Sequence, residues 1–391
     1  MFSLTAFLDV EDEHKSLLYR NYFAFFCSGM MCTVLGALLP SIREEYGISY
    51  SFAGFLGSTQ QIGTLLAVLF AGFLPYAIGR KRSSCILGSG TYIGMFLLCL
   101  TGNPLALVFA YTFMGMGRGT LSNITNVVVG QYAGNKGGGL NMLHAVFAVG
   151  ASISPIIAML SGSSGWRIPL YIIGGLSLIA MILLGTSSMD SGREKKEKGE
   201  SVIPKTMDFW TAAIILFFYM CAESCLMNWL VTFVLDTGVL TGVYAILVQS
   251  LLWIMILVGR VSCAWLSTRF SRPKLIALMG TLMTLFFILL INTTKEWLII
   301  VAVLGEGLAM SGIYPTTLAT MPSKYNRSTM ATGICIAAAN AGGIIMPAIV
   351  GMIADSTGDF RSGFAAIGVA LALMLVVMFM KVSAERKTRK D

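Results

Sequence analysis

Predominantly apolar runs of about 20 residues recur twelve times along this chain of 391 residues. Each run is long enough to cross the hydrocarbon core of a bilayer, which is about 30 Å thick. Lipid offers no hydrogen-bond partners to an open backbone, so each run is predicted to be a helix. The predicted spans are residues 17–40, 52–77, 83–101, 104–131, 138–161, 166–186, 207–235, 239–266, 274–292, 296–321, 328–353 and 359–381.

Composition supports this assignment, because 56% of the residues are hydrophobic and only 12% are charged, which excludes a soluble domain. All eight cysteines fall within the apolar spans and are interpreted as small hydrophobic residues. No metal site is therefore expected. Tryptophans at the ends of spans predict an interfacial aromatic belt, formed by Trp166, Trp210, Trp265 and Trp297.

The second half of the sequence repeats the first at an offset of 192 residues. Arg80 corresponds to Arg272, and Gly150 corresponds to Gly342. We therefore predict an all-α membrane protein with twelve transmembrane helices in two pseudo-symmetric six-helix bundles. Its parts are an N-terminal bundle, a polar cytoplasmic linker and a C-terminal bundle with a basic cytoplasmic tail, at residues 1–186, 187–206 and 207–391.

Lysines and arginines are distributed unevenly between the two sides of the predicted spans. The N-terminus, the C-terminus and the loops after even-numbered spans carry 21 of them, whereas the opposite loops carry only Arg43, Arg167, Lys295 and Arg361. Cytoplasmic loops are enriched in positive charge, so both termini are expected in the cytoplasm, with the protein in the plasma (inner) membrane. The net charge of +8 is thus interpreted as a topology signal, and no nucleic-acid partner is expected.

Residues Gly72–Arg82 resemble a cytoplasmic loop of the major facilitator superfamily of transporters, with the pattern Gly-x-Leu-x-Asp-Arg-x-Gly-Arg-Lys. Tyr76, and Thr268 in the second copy, stand where that family has aspartate. The resemblance covers nearly all of the chain and implies the major facilitator fold. It also implies a cytoplasmic gate at Gly72, Gly79, Arg80, Lys81, Arg269 and Arg272.

Shorter motifs resemble one branch of that superfamily, the sugar–cation symporters of the fucose–galactose–glucose type. These motifs are Gly115-x-Gly117 with Asn126, Leu140-Asn141-x-x-His144, Gly150-Ala-x-x-x-Pro155, Ala222-Glu223 with Trp229, and Tyr314-Pro315. The resemblance implies that spans one, four, seven and ten line a central cavity. In fucose-type symporters a carboxylate in span four carries the coupling proton, and Ser122 stands at that position here.

Three ionisable side chains lie deep inside predicted spans: Arg118, Glu223 and Glu306. A charge at the centre of a spanning helix costs about 2.5–3.5 kcal/mol on insertion scales, so each needs a partner or a hydrated cavity. At 1.5 Å per residue, Arg118 lies about 20 Å inside span four, near mid-bilayer. The sequence leaves the face of Glu306 open, because it lies about 200° from Leu308, the counterpart of Arg118 in the repeat.

Polar residues around these charges recur at a spacing of four and so share a helix face. The two stripes are Arg118, Ser122 and Asn126 on span four, and Ser224, Asn228 and Thr232 on span seven. Arg118 is expected to orient a substrate oxygen or carboxylate with its planar guanidinium. Glu223 or Glu306 is expected to take up a proton or attract Na⁺. The alternative is a buried Arg–Glu pair that holds the halves in register.

Aromatic and amide side chains complete the candidate site. Trp229, Trp253 and Tyr219 have flat faces suited to a sugar ring, although such residues also serve in helix packing. Three glutamines lie inside spans, at positions 60, 61 and 249. Contact with a ligand and hydrogen bonding between helices are equally good interpretations of them. His144 is interpreted as a packing or gate residue, and Arg260 as an arginine that reaches the interface. The predicted substrate-binding residues are Arg118, Ser122, Asn126, Tyr219, Asn228, Trp229, Gln249, Trp253 and Tyr314, with Glu223 and Glu306 for coupling.

The leading functional hypothesis is secondary active uptake of a small polar organic solute, a sugar or an organic anion, coupled to H⁺ or Na⁺. The alternatives are proton-coupled efflux of a drug or metabolite, and a membrane sensor that keeps the fold without transport. The sequence has no catalytic triad order and no nucleotide-binding loop, so an enzyme is not expected. The expected partners are the solute and the bilayer, with no bound cofactor beyond the coupling ion, and the chain is expected to work as a monomer.

Overall fold

The computed structural model describes residues 10–71, 73–162, 165–189, 204, 206–267, 269–322, 325 and 329–388. Most of the described residues are helical, and the described residues contain no strand. Its helices are α1 (Asp12–Tyr46), α2 (Tyr50–Ala71), α3 (Leu74–Ile78), α4 (Arg80–Gly88), α5 (Gly90–Leu100), α6 (Pro104–Tyr132), α7 (Lys136–Leu160), α8 (Arg167–Gly185), α9 (Met207–Asp236), α10 (Val243–Leu266), α11 (Arg272–Asn292), α12 (Glu296–Met310), α13 (Ile313–Leu318), α14 (Thr329–Thr357), α15 (Phe360–Ala365) and α16 (Ile367–Thr388).

Within the described residues, eleven helical stretches are long and apolar enough to cross a membrane. The remaining predicted span, residues 104–131, is the 29-residue helix α6, which is less apolar because it carries Arg118, Ser122 and Asn126. Helices α4 and α5 together form one spanning stretch, as do α12 and α13. The prediction of an all-α membrane protein is confirmed. The predicted linker, residues 187–206, lies mostly outside the described residues, which include only 187–189, 204 and 206 of it.

The chain forms two compact units. Unit 1 comprises Met1–Tyr46 and Thr59–Lys196, and unit 2 comprises Gly47–Ser58 and Glu197–Asp391. Residues 47–58, which the sequence assigns to the N-terminal half, therefore belong to unit 2. Helix α2 begins in unit 2 and continues into unit 1.

Helix packing repeats from one unit to the other. In unit 1, α1 packs against α7 and α8, while α5 packs against α6 and α8. In unit 2 the helices at equivalent positions of the repeat pair in the same way: α9 packs against α14 and α16, while α11 packs against α12 and α16. The sequence repeat is thus matched by a repeat in packing.

Two glycines of the repeat serve the same purpose in their units. A Cβ atom added to Gly150 would lie 2.2 Å from the carbonyl oxygen of Phe26, and one added to Gly342 would lie 2.1 Å from that of Phe217. These separations are too short for any side chain, so glycine permits α7 to approach α1 and α14 to approach α9 at backbone distance.

The end of α1 is fastened to its own unit by a polar and aromatic cluster. Arg167 pairs with the carboxylate of Glu45, and Trp166 Nε1 donates a 2.5 Å hydrogen bond to Glu45 Oε2. The Tyr46 hydroxyl donates to the Leu98 carbonyl at 2.7 Å. Trp166 is only 1% exposed, so its expected place in an aromatic belt was wrong. The hydrogen bond to Glu45 and the packing against Tyr46 within unit 1 account for the difference.

Candidate functional site

Glycines in the middle of α6 bring that helix against α2. A Cβ atom on Gly115 would lie 1.8 Å from the Gln60 carbonyl oxygen, and one on Gly119 would lie 2.8 Å from the Thr64 carbonyl oxygen. The close approach places Arg118, which lies between these glycines, beside the polar side chains of α2. Glycine spacing on α6 is therefore what positions the charged side chain.

Arg118 is half-buried, and its hydrogen bonds to other described residues all go to neutral groups. Its Nη2 donates to Gln61 Oε1 at 2.6 Å and to Thr64 Oγ1 at 3.2 Å. Its Nη1 donates to the Cys32 sulfur at 3.5 Å, and its Nε is buried with no partner among the described residues. No carboxylate of the described residues forms a salt bridge with Arg118. These contacts orient the guanidinium, but none of them supplies a negative charge to balance it.

Ser122 and Asn126 continue the predicted stripe along α6, and both are half-buried. The Asn126 Nδ2 donates a hydrogen bond to the Ser122 carbonyl at 2.6 Å. The spacing of four thus places these residues on one helix face with Arg118, as the helical period requires. Their role in binding stays a prediction.

A second polar cluster lies in unit 2 around Tyr219. The Tyr219 ring is buried, and its hydroxyl donates to the Met310 carbonyl at 3.1 Å. Its ring centroid lies 6.3 Å from that of Tyr314. Glu223 and Arg260 both interact electrostatically with Tyr219 and with each other. Arg260 was not among the predicted site residues, yet it shares this cluster with three of them.

Glu306 is fully buried in unit 2, and neither carboxylate oxygen has a hydrogen-bond partner among the described residues. Its neighbours on α12 show where it points. A Cβ on Gly305 would meet the Phe286 ring of α11 at 2.4 Å, and one on Gly307 would meet the Leu252 carbonyl oxygen of α10 at 2.5 Å. At about 100° per residue, Glu306 therefore points into unit 2 between α10 and α11, away from the exposed face at Leu308.

The predicted aromatic and amide residues of unit 2 are mostly buried. Trp229 is fully buried, with its ring centroid 5.1 Å from that of Phe360 and 6.2 Å from that of Tyr50. Gln249 is buried, with its Nε2 3.5 Å from the Met227 sulfur. Trp253 is 4% exposed, and Asn228 is half-buried. In the state described, these side chains contribute to helix packing, and their contact with a solute stays a prediction.

The predicted cytoplasmic gate residues lie at helix ends in their respective units. Gly79 has a φ of 88°, in the left-handed region that favours glycine, and separates α3 from α4. Within unit 1, Arg80 donates to Gln131 at 2.9 Å and Lys81 donates to the Ser187 carbonyl at 2.8 Å. Gly72 lies outside the described residues.

In unit 2 the remaining gate candidates flank the connection between α10 and α11. Arg269 stacks over the Trp265 ring at 4.2 Å, and Arg272 donates to the Ala319 carbonyl at 2.7 Å. The first contact lies at the end of α10, and the second joins the start of α11 to the residue after α13. Their part in gating stays a prediction.

Proteins of similar sequence cover most of this chain. One is a protein of Bacillus subtilis named "Uncharacterized MFS-type transporter YfkL", which is 25% identical over 94% of this chain and 96% of its own length. Another is the gentisate transporter of Corynebacterium glutamicum, 21% identical over 95% of this chain and 88% of its own length.

Solved structures of low sequence identity share the fold. A bacterial homologue of the human lysosomal transporter Spinster has a TM-score of 0.79 at 13% identity, over 95% of this chain and 97% of that chain. The fucose:proton symporter FucP of E. coli has a TM-score of 0.63 at 16% identity, over 94% of this chain and 99% of that chain. The sugar–cation branch is therefore not singled out. A family model described as Major Facilitator Superfamily matches residues 22–330 and 265–391, and the chain belongs to that family of membrane transporters.

Proposed function

We propose that this protein is a secondary active transporter that takes up a small organic anion bearing a carboxylate, in symport with protons. The solute would bind at Arg118 in unit 1, and alternating access would carry it across the plasma membrane. The basic loops support cytoplasmic termini. The chain is proposed to act as a monomer.

The observation that carries this proposal is the state of the Arg118 guanidinium. A permanent cation near the middle of a spanning helix is expensive unless a countercharge or water reaches it. Gln61, Thr64 and Cys32 satisfy some of its N–H groups but supply no negative charge. A planar guanidinium held by neutral neighbours is suited to a carboxylate, which accepts two parallel N–H bonds from it.

The similar proteins support an anionic solute. Gentisate is an aromatic carboxylate, and the chain resembles a transporter named for it along 95% of its length. The fucose:proton symporter has the same fold, and the fucose in its name is a neutral sugar. A neutral sugar is therefore the competing candidate solute. Because Arg118 forms no salt bridge among the described residues, its charge favours the anion.

Glu306 is the proposed proton carrier. An ionised carboxylate that is fully buried without a partner costs several kcal/mol, so the neutral acid is the form that suits this position. Glu223, by contrast, interacts with the permanent cation of Arg260 and so has a countercharge that Glu306 lacks among the described residues. The two acids of the candidate site would therefore have different roles.

The proposal is tested with purified protein reconstituted in liposomes that contain a pH-sensitive dye. An aromatic carboxylate such as gentisate is added outside, and its uncharged carboxamide serves as the matched control. Symport predicts acidification of the interior with the carboxylate and none with the carboxamide. Alkalinisation would indicate antiport, and a response to a neutral sugar alone would contradict an anionic solute. Binding of the carboxylate without any movement would indicate a sensor.

A further inference from the structure

The N–H groups of Arg118 meet acceptors of different strength within unit 1. Its Nη2 donates to two oxygen atoms, Gln61 Oε1 at 2.6 Å and Thr64 Oγ1 at 3.2 Å. Its Nη1 donates to the sulfur of Cys32 at 3.5 Å. A thiol sulfur is a weaker hydrogen-bond acceptor than an amide or hydroxyl oxygen. The contact with Cys32 is therefore the easiest of the three to exchange for an oxygen atom of a solute.

The two oxygen acceptors of Nη2 are themselves held in place on α2. The Thr64 hydroxyl donates to the carbonyl oxygens of Gln60 and Gly115, each at 3.2 Å, so its own oxygen is left as an acceptor for Arg118. Gln61 is buried on the same helix. A solute that took over a hydrogen bond of Nη2 would have to displace one of these side chains. Nη1 is the less costly position for it.

Cys32 reaches Arg118 from a different helix, α1, which packs against α6 within unit 1. Cys32 is half-buried, whereas Cys27 on the same helix is fully buried. Part of the Cys32 side chain is therefore accessible next to a guanidinium that forms no salt bridge among the described residues.

We propose that Cys32 is a specificity-determining residue of the solute site: its sulfur contacts Nη1 of Arg118 in the free protein and is displaced there by a carboxylate oxygen of the solute. The inference rests on the proposed function above, because it concerns the carboxylate that Arg118 is proposed to receive. A charged oxygen forms a stronger hydrogen bond with the guanidinium than the sulfur that it displaces. A fixed oxygen acceptor at position 32 would compete with the solute, and a fixed carboxylate would exclude it.

Three substitutions of Cys32 test this role by isothermal titration with gentisate as the probe. Cys32→Ala removes the sulfur and should leave the Kd within about twofold of the parent value. Cys32→Asn has a side chain one bond longer than cysteine, which brings an amide oxygen within reach of Nη1, and should raise the Kd about fivefold to tenfold. Cys32→Asp should abolish binding, because its carboxylate occupies the position of the solute.

Two comparisons separate this role from a folding defect. Asparagine and aspartate have nearly the same shape, so the difference between their variants reports the charge at position 32. Cys27→Ala, which removes the sulfur of a buried cysteine of α1, should bind gentisate as the parent does. Equal Kd values for Cys32→Asn and Cys32→Asp, or loss of binding in Cys32→Ala with the elution volume of the parent on a sizing column, would overturn the inference.

A second measurement needs no solute. A methanethiosulfonate reacts with an accessible thiol to form a mixed disulfide and release methanesulfinate. The rate of reaction with Cys32 is measured for an anionic sulfonate reagent and for a cationic trimethylammonium reagent. Arg118 attracts the anion and repels the cation, so the ratio of the two rates should fall about fivefold in Arg118→Gln. Cys32→Ala measures the reaction of the other cysteines.

The two measurements distinguish failure of the inference from failure of the proposed function. An unchanged ratio in Arg118→Gln, or no reaction of Cys32 with either reagent, would overturn the role of Cys32 even where the parent protein binds gentisate. A parent protein that binds no aromatic carboxylate would contradict the proposed function, and the role of Cys32 would be contradicted with it.

Discussion

Gln61 on α2 accepts a 2.6 Å hydrogen bond from Nη2 of Arg118 on α6. The amide is itself buried, with 7% of its surface exposed. A neutral acceptor at this position fixes the direction of the guanidinium and leaves its positive charge for another group. Gln61 therefore acts as a positioning residue for Arg118.

Replacing Gln61 with Leu should raise the solute KM about tenfold to a hundredfold and leave the maximal rate nearly unchanged. A hydrogen bond to a charged group contributes about 1.5–3 kcal/mol, and about 1.4 kcal/mol corresponds to a factor of ten. The measurement is uptake of the labelled carboxylate into proteoliposomes over a range of concentrations.

The adjacent amide offers the control. Gln60 is equally buried, but its Nε2 has no hydrogen-bond partner among the described residues. Gln60→Leu should leave the KM within about twofold of the parent value, because the hydrogen bonds of Arg118 go to Cys32, Gln61 and Thr64 rather than to Gln60. Equal effects of the two substitutions would show that Gln61 has no special relation to Arg118.

Arg118→Gln should abolish uptake of the carboxylate, and Arg118→Lys should retain a small fraction of it. Lysine keeps the charge but loses the planar fork that matches two carboxylate oxygens. Both proteins should elute from a sizing column as the parent does. Full activity in Arg118→Lys would show that charge alone is sufficient, and full activity in Arg118→Gln would remove this residue from the mechanism.

Glu306→Gln should uncouple transport from the proton gradient. The amide is a neutral mimic of the protonated acid, so exchange of labelled solute for unlabelled solute should continue while a pH gradient no longer drives accumulation. Glu223→Gln removes the partner of Arg260 instead and should impair both exchange and accumulation. Exchange and accumulation are compared in the same vesicles. The assignment of the proton carrier fails if Glu306→Gln still accumulates solute.

Gly342→Ala should destabilise the protein, because the added Cβ would lie 2.1 Å from the Phe217 carbonyl oxygen. Forcing α14 away from α9 should lower the free energy of unfolding by about 1–3 kcal/mol. Thermal unfolding in detergent measures the effect. Gly175→Ala on α8, where a Cβ would meet nothing within 4 Å, is expected to leave the midpoint unchanged or slightly raised. The packing argument is wrong if both variants unfold alike.

Much of the fold can be predicted from two patterns in the sequence, its apolar runs and its internal repeat. Apolar runs and the absence of backbone partners in lipid determine the spans, and the offset of 192 residues predicts that Gly150 and Gly342 are equivalent. Their matching contacts confirm that equivalence. The sequence did not reveal that residues 47–58 belong to unit 2, because their contacts are with residues far along the chain; Asp355, which accepts a hydrogen bond from the Tyr50 amide, lies about 300 residues further on.

The candidate site was less accessible to sequence reasoning. Depth in a span identified Arg118, Glu223 and Glu306, because charges are rare there. The partners of those charges depend on rotation and depth of neighbouring helices. Arg260 was therefore taken for an interfacial residue, and Gln61 was not distinguished from its neighbour Gln60. The orientation of Glu306 became definite only through the contacts of Gly305 and Gly307 with α11 and α10.

Direct binding to purified protein tests the central claim that Arg118 receives a carboxylate. Isothermal titration of an aromatic carboxylate and of its carboxamide should give binding to the parent protein with the carboxylate alone, and no binding of either compound to Arg118→Gln. Equal affinity for the two compounds, or unchanged affinity in Arg118→Gln, would contradict the account.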